Sequence, residues 1–108
     1  MAKRPVTRGR EQDMFALIRT YEGLSVENLD EATRKANAGL RTILQESPGF
    51  VSYELLKHEG TDGKVASISV FDSRTEAQAS SDVAQKWVRE NLPFMTKPHE
   101  TAGELVAH

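Results

Sequence analysis

The chain contains no cysteine, which excludes thiol nucleophiles, cysteine-ligated zinc and disulfide bonds. Histidine is scarce as well. No two of the three histidines, His58, His99 and His108, have the helical or hairpin spacing of a metal-binding pair. The sequence also lacks a glycine-rich phosphate loop and a nucleophile elbow. These absences argue against a metal site, a nucleotide site and hydrolases of the nucleophile-elbow type.

A strong charge bias is absent too. Fourteen lysines and arginines against sixteen acidic residues leave a net charge of −2, and the only basic cluster lies within residues 3–10. We expect residues 1–12 to form a flexible N-terminal arm and residues 13–108 to form one domain. No apolar run is long enough for a signal peptide or a membrane span. The sequence therefore predicts a soluble, cytoplasmic protein that binds neither nucleic acid nor membranes.

What the chain does contain is a regular succession of hydrophobic patterns. Patterns typical of strands and helices follow in the order strand, helix, strand, strand, helix, strand. The predicted bounds, in that order, are 14–21, 26–46, 50–58, 65–72, 74–92 and 102–107. Ser25 is the predicted N-cap of the first helix, and Ser73 with Glu76 forms a predicted capping box for the second.

Both helices carry an apolar face. In the first, the residues at spacings of three and four are Leu29, Ala32, Ala36, Leu40 and Ile43. The predicted inner residues of the second are mostly small and end in larger ones: Ala77, Ala79, Ser80, Ser81, Val83, Ala84, Trp87, Val88 and Leu92. The small residues either let this helix pack close to the sheet or leave room for a ligand, and the sequence leaves both possibilities open.

The two middle strands are separated by Asp62-Gly63, a pair typical of a two-residue type I′ turn. Such a turn sets Leu55 opposite Val70. In this register Tyr53 shares a core face with both residues, whereas Phe71 lies on the other face.

The order of the elements predicts an α+β fold. Two crossovers of the usual right hand give a ferredoxin-like βαββαβ sandwich, with a four-stranded antiparallel sheet and both helices on one face. The other face is then uncovered in a monomer, although we expect Phe50, Leu56 and Phe71 on or near it. Apolar patches of this kind mark interfaces, so we expect a second copy to cover it in a homodimer.

Several segments resemble a known family. The stretch from Pro48 to Leu55 (PGFVSYEL), the hairpin, and Phe71-Asp72-Ser73 before an alanine-containing helix resemble the antibiotic biosynthesis monooxygenase family over residues 13–107. The resemblance implies a dimeric α+β barrel with a pocket in each subunit between sheet and helices. Some members oxygenate aromatic polyketides or quinols without metal or flavin, and others degrade haem. Haem degradation needs an axial histidine in the second helix, which this chain lacks, so the resemblance implies no cofactor.

Two functions stay open. Quinol-oxidising members often carry Glu and Trp on the third strand and His in the second helix, where this chain has Ser69, Phe71 and Ser81. The first function is a cofactor-independent monooxygenase, an oxidoreductase acting on an anthrone- or quinol-like aromatic molecule. The second is a non-catalytic dimeric module that binds a small ligand or a protein partner. A pocket with converging polar groups favours the first, and a filled interior favours the second.

Arg19 and Tyr53 are the candidate catalytic residues. Arg19 interrupts an apolar strand, so it needs either an acidic partner, such as Glu54 or Glu104, or an anionic ligand. Tyr53 faces the helices in the predicted register, and its hydroxyl could hydrogen-bond a phenolic ligand.

The candidate substrate-binding residues lie on the helices. Trp87, the only tryptophan, is predicted either to form the flat wall of a pocket beside Ser81 and Ala84 or to be an ordinary core residue. Asn37, next to Ala36 on the first helix, is a further candidate.

Overall fold

The structure is a computed structural model that describes residues 14–95 and 97–107. The first helix, α1, is continuous over residues 26–45, with α-helical parts at Val26–Lys35 and Arg41–Gln45 around a π-helical part at Ala36–Leu40. The other elements, in chain order with α1 second, are β1 (Phe15–Tyr21), β2 (Phe50–Lys57), β3 (Val65–Phe71), α2 (Arg74–Asn91) and β4 (His99–Glu104). The predicted arm, residues 1–12, lies outside the described residues.

The four strands form one antiparallel sheet in the order β2-β3-β1-β4. Strands β3 and β1 are the two inner strands. Both helices pack on the sheet face that bears Phe15, Leu17 and Phe71, where the main core lies. The predicted ferredoxin-like α+β fold is confirmed. No helix among the described residues is long and apolar enough to cross a membrane.

Helix α1 begins at the predicted N-cap, because the Ser25 hydroxyl accepts the backbone N–H of Asn28 at 3.1 Å. Its apolar stripe runs through Ala36 and Leu40, both buried, and then reaches Leu44 instead of the predicted Ile43. The π-helical turn explains this correction. A π turn holds more residues than an α turn, so it moves the buried stripe one position along the chain.

The predicted capping box of α2 is confirmed. The Ser73 hydroxyl accepts the backbone N–H of Glu76 at 3.3 Å and lies 3.1 Å from its carboxylate. This carboxylate lies so close to Gly49, whose φ is +79°, that a β-carbon there would collide with it. Two predicted inner residues of α2, Ala79 and Val83, are exposed instead, because they lie on the side of the helix away from the sheet.

The predicted hairpin register is wrong. Leu55 lies opposite Ser67 instead of Val70, and residues 58–64 form a longer connection than a two-residue turn. The carbonyl of Gly63 accepts the backbone N–H of Leu24 at 3.1 Å, and Gly63 lies directly against the Leu24 backbone. The positive φ of Gly63 thus allows a contact with the segment before α1. The Asp62-Gly63 pair does mark a turn, but this turn is not the two-residue hairpin turn that the sequence predicts.

The register change moves residues between the sheet faces. Phe71 is fully buried beneath the helices and packs edge-on against Phe50, with ring centroids 6.0 Å apart. Both were expected on the open face, and that expectation is wrong. Leu56 does lie on the open face and is 49% exposed. An irregularity between Phe50 and Ser52 lets Phe50 turn to the helix side.

The last strand also differs from its prediction. Strand β4 spans His99–Glu104 instead of 102–107, and all six of its residues are exposed. It pairs with β1 through main-chain hydrogen bonds at the sheet edge, with Glu100 opposite Arg19 and Glu104 opposite Phe15. A strand held mainly by its backbone leaves little hydrophobic pattern in the sequence. The prediction therefore places the strand three residues too late, over the apolar residues that follow it.

Candidate functional site

Two connected spaces lie between the sheet and the helices at the Tyr21 end of β1. The inner cavity has a volume of about 50 Å³, and its apolar walls include Leu40 and Leu44 of α1 and Val88 of α2. The outer cleft has a volume of about 400 Å³. Arg19 and Tyr21 line both spaces, so they stand where the cleft meets the cavity.

Among the described residues, Arg19 is the only charged one that lines the inner cavity. It lies on the helix face of β1 and is 6% exposed. Its Nη2 is 3.0 Å from a carboxylate oxygen of Glu100 and donates a hydrogen bond to the Ser81 hydroxyl. Its Nε is buried and has no hydrogen-bond partner within residues 14–95 and 97–107. A buried N–H without a partner costs about 1–3 kcal/mol, so the site holds a charged donor that a ligand could satisfy.

The acidic partner of Arg19 is therefore neither of the two that the sequence suggested. Glu104 lies opposite Phe15, and Glu54 lies opposite Ile68, on a different part of the sheet. Glu100 was missed because the pairing of β4 with β1 was not visible in the sequence. The side chain of Glu100 is 45% exposed, so this ion pair is open to solvent on one side.

Tyr53 is buried on β2, opposite Ser69, and lines the inner cavity. Burial raises its pKa to about 12, although the positive charge of Arg41 acts in the opposite direction. Tyr53 is consequently protonated at neutral pH. It can donate a hydrogen bond from its hydroxyl, and it cannot serve as a general base there.

Arg41 holds Tyr53 in place from α1. Its Nη1 donates to the main-chain carbonyl of Tyr53 at 2.9 Å, and its guanidinium lies 5.1 Å from the centroid of the Tyr53 ring. Its Nε donates to the side-chain carbonyl of Asn37, also at 2.9 Å. Asn37, a predicted substrate-binding residue, thus contacts Arg41 and is not among the residues that line the cavity.

Tyr21 also lines both spaces, although the sequence analysis did not name it as a candidate. Burial raises its pKa, the charge of Arg19 opposes the rise, and that of Glu100 adds to it. The sequence does contain a pattern that places Tyr21 beside Arg19. Tyr21 lies two residues after Arg19 on the same strand, and side chains at that spacing share a face.

The predicted ligand-binding residues of α2 separate in the structure. Ala84 lines the inner cavity, and Ser81 contacts Arg19. Trp87 is half-buried and packs on α1 instead, where a β-carbon at Gly39 would lie 3.0 Å from its ring. Of the large apolar residues near the end of this helix, Val88 of α2 and Leu92, directly after α2, line the inner cavity, whereas Trp87 does not. The binding roles of Ser81, Ala84, Asn37 and Trp87 stay predictions.

The lining of the two spaces defines what the site can do chemically. It offers the guanidinium groups of Arg19 and Arg89, the ammonium group of Lys97, two phenolic hydroxyls and the hydroxyls of Ser67 and Ser69, all of which can donate hydrogen bonds. Among the described residues, Glu100 is the only carboxylate that lines either space. No group of three or more potential metal ligands occurs among the described residues. The arrangement suits an anion flanked by apolar walls.

No family model matches the sequence, and no curated protein matches it. Solved structures do. A candidate antibiotic biosynthesis monooxygenase from Nitrosomonas europaea is 12% identical, with a TM-score of 0.72 over 89% of this chain and 93% of that one. A second candidate, from Caulobacter crescentus, is 15% identical, with a TM-score of 0.72 over 89% of this chain and 92% of that one.

A third similar structure is SnoaB, a cofactor-independent oxygenase from Streptomyces nogalater. It is 12% identical to this chain, with a TM-score of 0.66 over 90% of this chain and 96% of SnoaB. The chain therefore has the fold of the antibiotic biosynthesis monooxygenases over nearly its whole length. The resemblance that began from the Pro48–Leu55 segment is confirmed at the level of the fold.

Proposed function

We propose that this protein is a cofactor-independent monooxygenase that acts on an anthrone- or quinol-like aromatic molecule. One observation carries the proposal: the buried Nε of Arg19, without a partner, lies at the junction of an apolar cavity and an open cleft. The same wall holds two tyrosines whose pKa values are raised by burial. Positively charged and neutral donors inside apolar walls stabilise an aromatic oxyanion more than they stabilise its neutral parent.

The residues suggest how the reaction would proceed. The substrate loses a proton to form a resonance-stabilised carbanion whose negative charge rests mainly on oxygen, next to Arg19. Glu100 is the one carboxylate of the cleft, so it is the proton acceptor that the described lining offers. Tyr53 donates a hydrogen bond to the ligand and keeps its own proton.

The bound anion would then react with dioxygen directly. It transfers one electron to oxygen, and the resulting pair combines through a new C–O bond to give a peroxide. Cleavage of the O–O bond leaves one oxygen atom in a product carbonyl and releases the other as water, together with the two hydrogens lost from the carbon. Atoms and electrons balance without an external reductant.

The proposal includes a homodimer. Both helices lie on one sheet face, and the described part of the chain places no helix over the other face. Val51, 42% exposed, and Leu56, 49% exposed, are large apolar residues at this uncovered region of β2. A second copy of the same sheet would remove them from water through a two-fold interface.

A non-catalytic ligand-binding module is the second candidate function, and two observations favour it. The inner cavity, at about 50 Å³, is smaller than a fused-ring ligand, so such a ligand would extend into the cleft. In addition, Tyr53 cannot accept a proton from the substrate at neutral pH, because burial raises its pKa to about 12. A module of this kind would bind the aromatic ligand and leave it unchanged.

Oxygen uptake distinguishes the two functions. Protein treated with a chelator and free of flavin is mixed with anthrone, and oxygen consumption and anthraquinone formation are followed together. The monooxygenase predicts saturable uptake well above the rate in buffer. Arg19→Met should lower it about 100-fold, as expected for the loss of one oxyanion donor. Lys86→Met, on the exposed face of α2 and outside both spaces, is the matched control. Binding of anthrone without uptake would favour the module.

A further inference from the structure

The outer cleft carries a local excess of positive charge. Its lining includes Arg19 on β1, Arg89 on α2 and Lys97 just before β4, and Glu100 is the only acidic residue in the lining that the structure describes. The whole chain has a net charge of −2, so this excess is not a consequence of composition. Three cations converge on the same opening from three separate segments of the chain.

The ion pair with Glu100 does not use up the hydrogen-bonding capacity of Arg19. The carboxylate engages Nη2, whereas Nε has no partner although the residue is 6% exposed. Arg89 and Lys97, by contrast, are exposed at the rim. The cleft thus has one desolvated donor at its base and two exposed cations at its edge, an arrangement that suits an anionic group entering from solvent.

The neighbouring walls indicate the rest of the ligand. Behind Arg19 the inner cavity is lined mainly by apolar side chains, among them Leu40, Leu44 and Leu92, and none of its other described lining residues is charged. A ligand that fills both spaces must therefore be apolar at one end and negatively charged at the other.

We propose that the substrate class of this site is aromatic carboxylic acids, with the carboxylate at the mouth of the cleft between Arg89 and Lys97, the reacting oxygen at Arg19 and the ring toward the apolar cavity. This inference rests on the proposed function for its catalytic meaning, but it concerns binding and can be tested by itself. It means that the cleft selects its ligand by the acid group and holds the reactive ring at a fixed depth.

The experiment compares two ligands that differ only in charge. Binding of 2-naphthoic acid and of 2-naphthamide, neither of which reacts with oxygen, is measured by calorimetry at low and high salt. We expect one site per subunit and a preference for the acid of at least about tenfold, since a charge-assisted contact is stronger than a neutral one. The preference should shrink as salt increases, because the rim cations are exposed.

Variants locate the effect. Lys97→Met and Arg89→Met should each reduce the preference for the acid and leave the binding of the amide unchanged, whereas Lys86→Met should change neither. Equal or tighter binding of the amide, or no binding of the acid, would overturn the inference. If either of these results were found and the protein still consumed oxygen with uncharged anthrone, the acid preference would be wrong and the proposed monooxygenase function would stand. If the protein bound the acid selectively but consumed oxygen with no aromatic ligand, the acid preference would stand and the proposed monooxygenase function would be wrong.

Discussion

Replacing Arg19 by methionine should leave the free energy of unfolding nearly unchanged, although Arg19 is 6% exposed and ion-paired. Methionine keeps the apolar stem that packs within the site and removes only the guanidinium. The loss of a structural buried ion pair would cost about 3–5 kcal/mol, because one charge would remain buried and unpaired. This pair differs, since the Glu100 side chain is 45% exposed and stays hydrated without its partner.

The individual contributions nearly cancel. The ion pair with a half-exposed carboxylate is worth about 0.2–1 kcal/mol, and the hydrogen bond to Ser81 about 1 kcal/mol. Ser81 keeps a second donor, the side-chain amide of Gln85 at 3.3 Å. Against these losses, removal of the unpartnered Nε relieves about 1–3 kcal/mol. The expected net change therefore lies between a loss of about 1 kcal/mol and a gain of about 2 kcal/mol, and a loss of about 1 kcal/mol corresponds to a decrease of less than about 8 °C in the melting midpoint.

Urea unfolding at a fixed protein concentration measures the change, and Arg41→Met is the matched control. Arg41 donates to the Tyr53 carbonyl and stacks on its ring, so its replacement should destabilise the protein by about 1–2 kcal/mol. If Arg19→Met instead costs more than about 3 kcal/mol, Arg19 is held for structure and the reasoning that makes it a ligand-binding group is refuted.

Three further results are expected. Gly63→Ala should cost at least about 1 kcal/mol more than Gly60→Ala in urea unfolding. Both glycines have a positive φ, but only at Gly63 would a β-carbon collide with backbone atoms, those of Leu24, which cannot turn aside as the end of a side chain can. A similar cost for both would contradict this. The free energy of unfolding should decrease between about pH 10 and about pH 12. The pKa of Tyr53 is about 12 in the folded protein and has its ordinary value of 10.0 in the unfolded chain, so the unfolded chain loses the proton first. Tyr53→Phe should make this decrease smaller, and an unchanged decrease between pH 10 and pH 12 would argue against the raised pKa. Leu56→Asp should shift the mass in light scattering from near twice 12.0 kDa towards monomer or aggregate. Val83→Asp, at a matched 47% exposure on α2, should leave the dimer intact, and a wild-type monomer would remove the argument for a homodimer.

Most of the fold could be predicted from local patterns. The bounds of β1, α1 and α2 agree with the structure within a residue, because β1 is a short apolar run, and α1 and α2 have a helical period and begin at a capping serine. The hairpin register could not be predicted in this way. It depends on the contact between Gly63 and Leu24, which are distant in sequence, and on the irregularity after Phe50. The shift from Ile43 to Leu44 depends on a π turn that has no marker in the sequence.

In the candidate site, too, local patterns predicted some residues, whereas long-range contacts determined others. Arg19 stands out in the sequence as a charge within an apolar strand, and Tyr53 follows from the resemblance and the alternation of β2. Their partners are long-range contacts. Glu100 lies on a strand with almost no hydrophobic signal, and Arg41 reaches Tyr53 from the end of a π turn. Trp87 attracted attention as the only tryptophan, but the glycine that accommodates its ring lies on another helix.

The central claim is that this site lets a bound aromatic anion react with dioxygen. The most direct measurement is the reaction of anthrone with isotopically labelled dioxygen, followed by mass spectrometry of the quinone. The account predicts one labelled oxygen atom in each quinone formed, the other in water, at a rate that falls about 100-fold in Arg19→Met. A quinone without label, or labelling as fast in Arg19→Met as in the natural sequence, would contradict it.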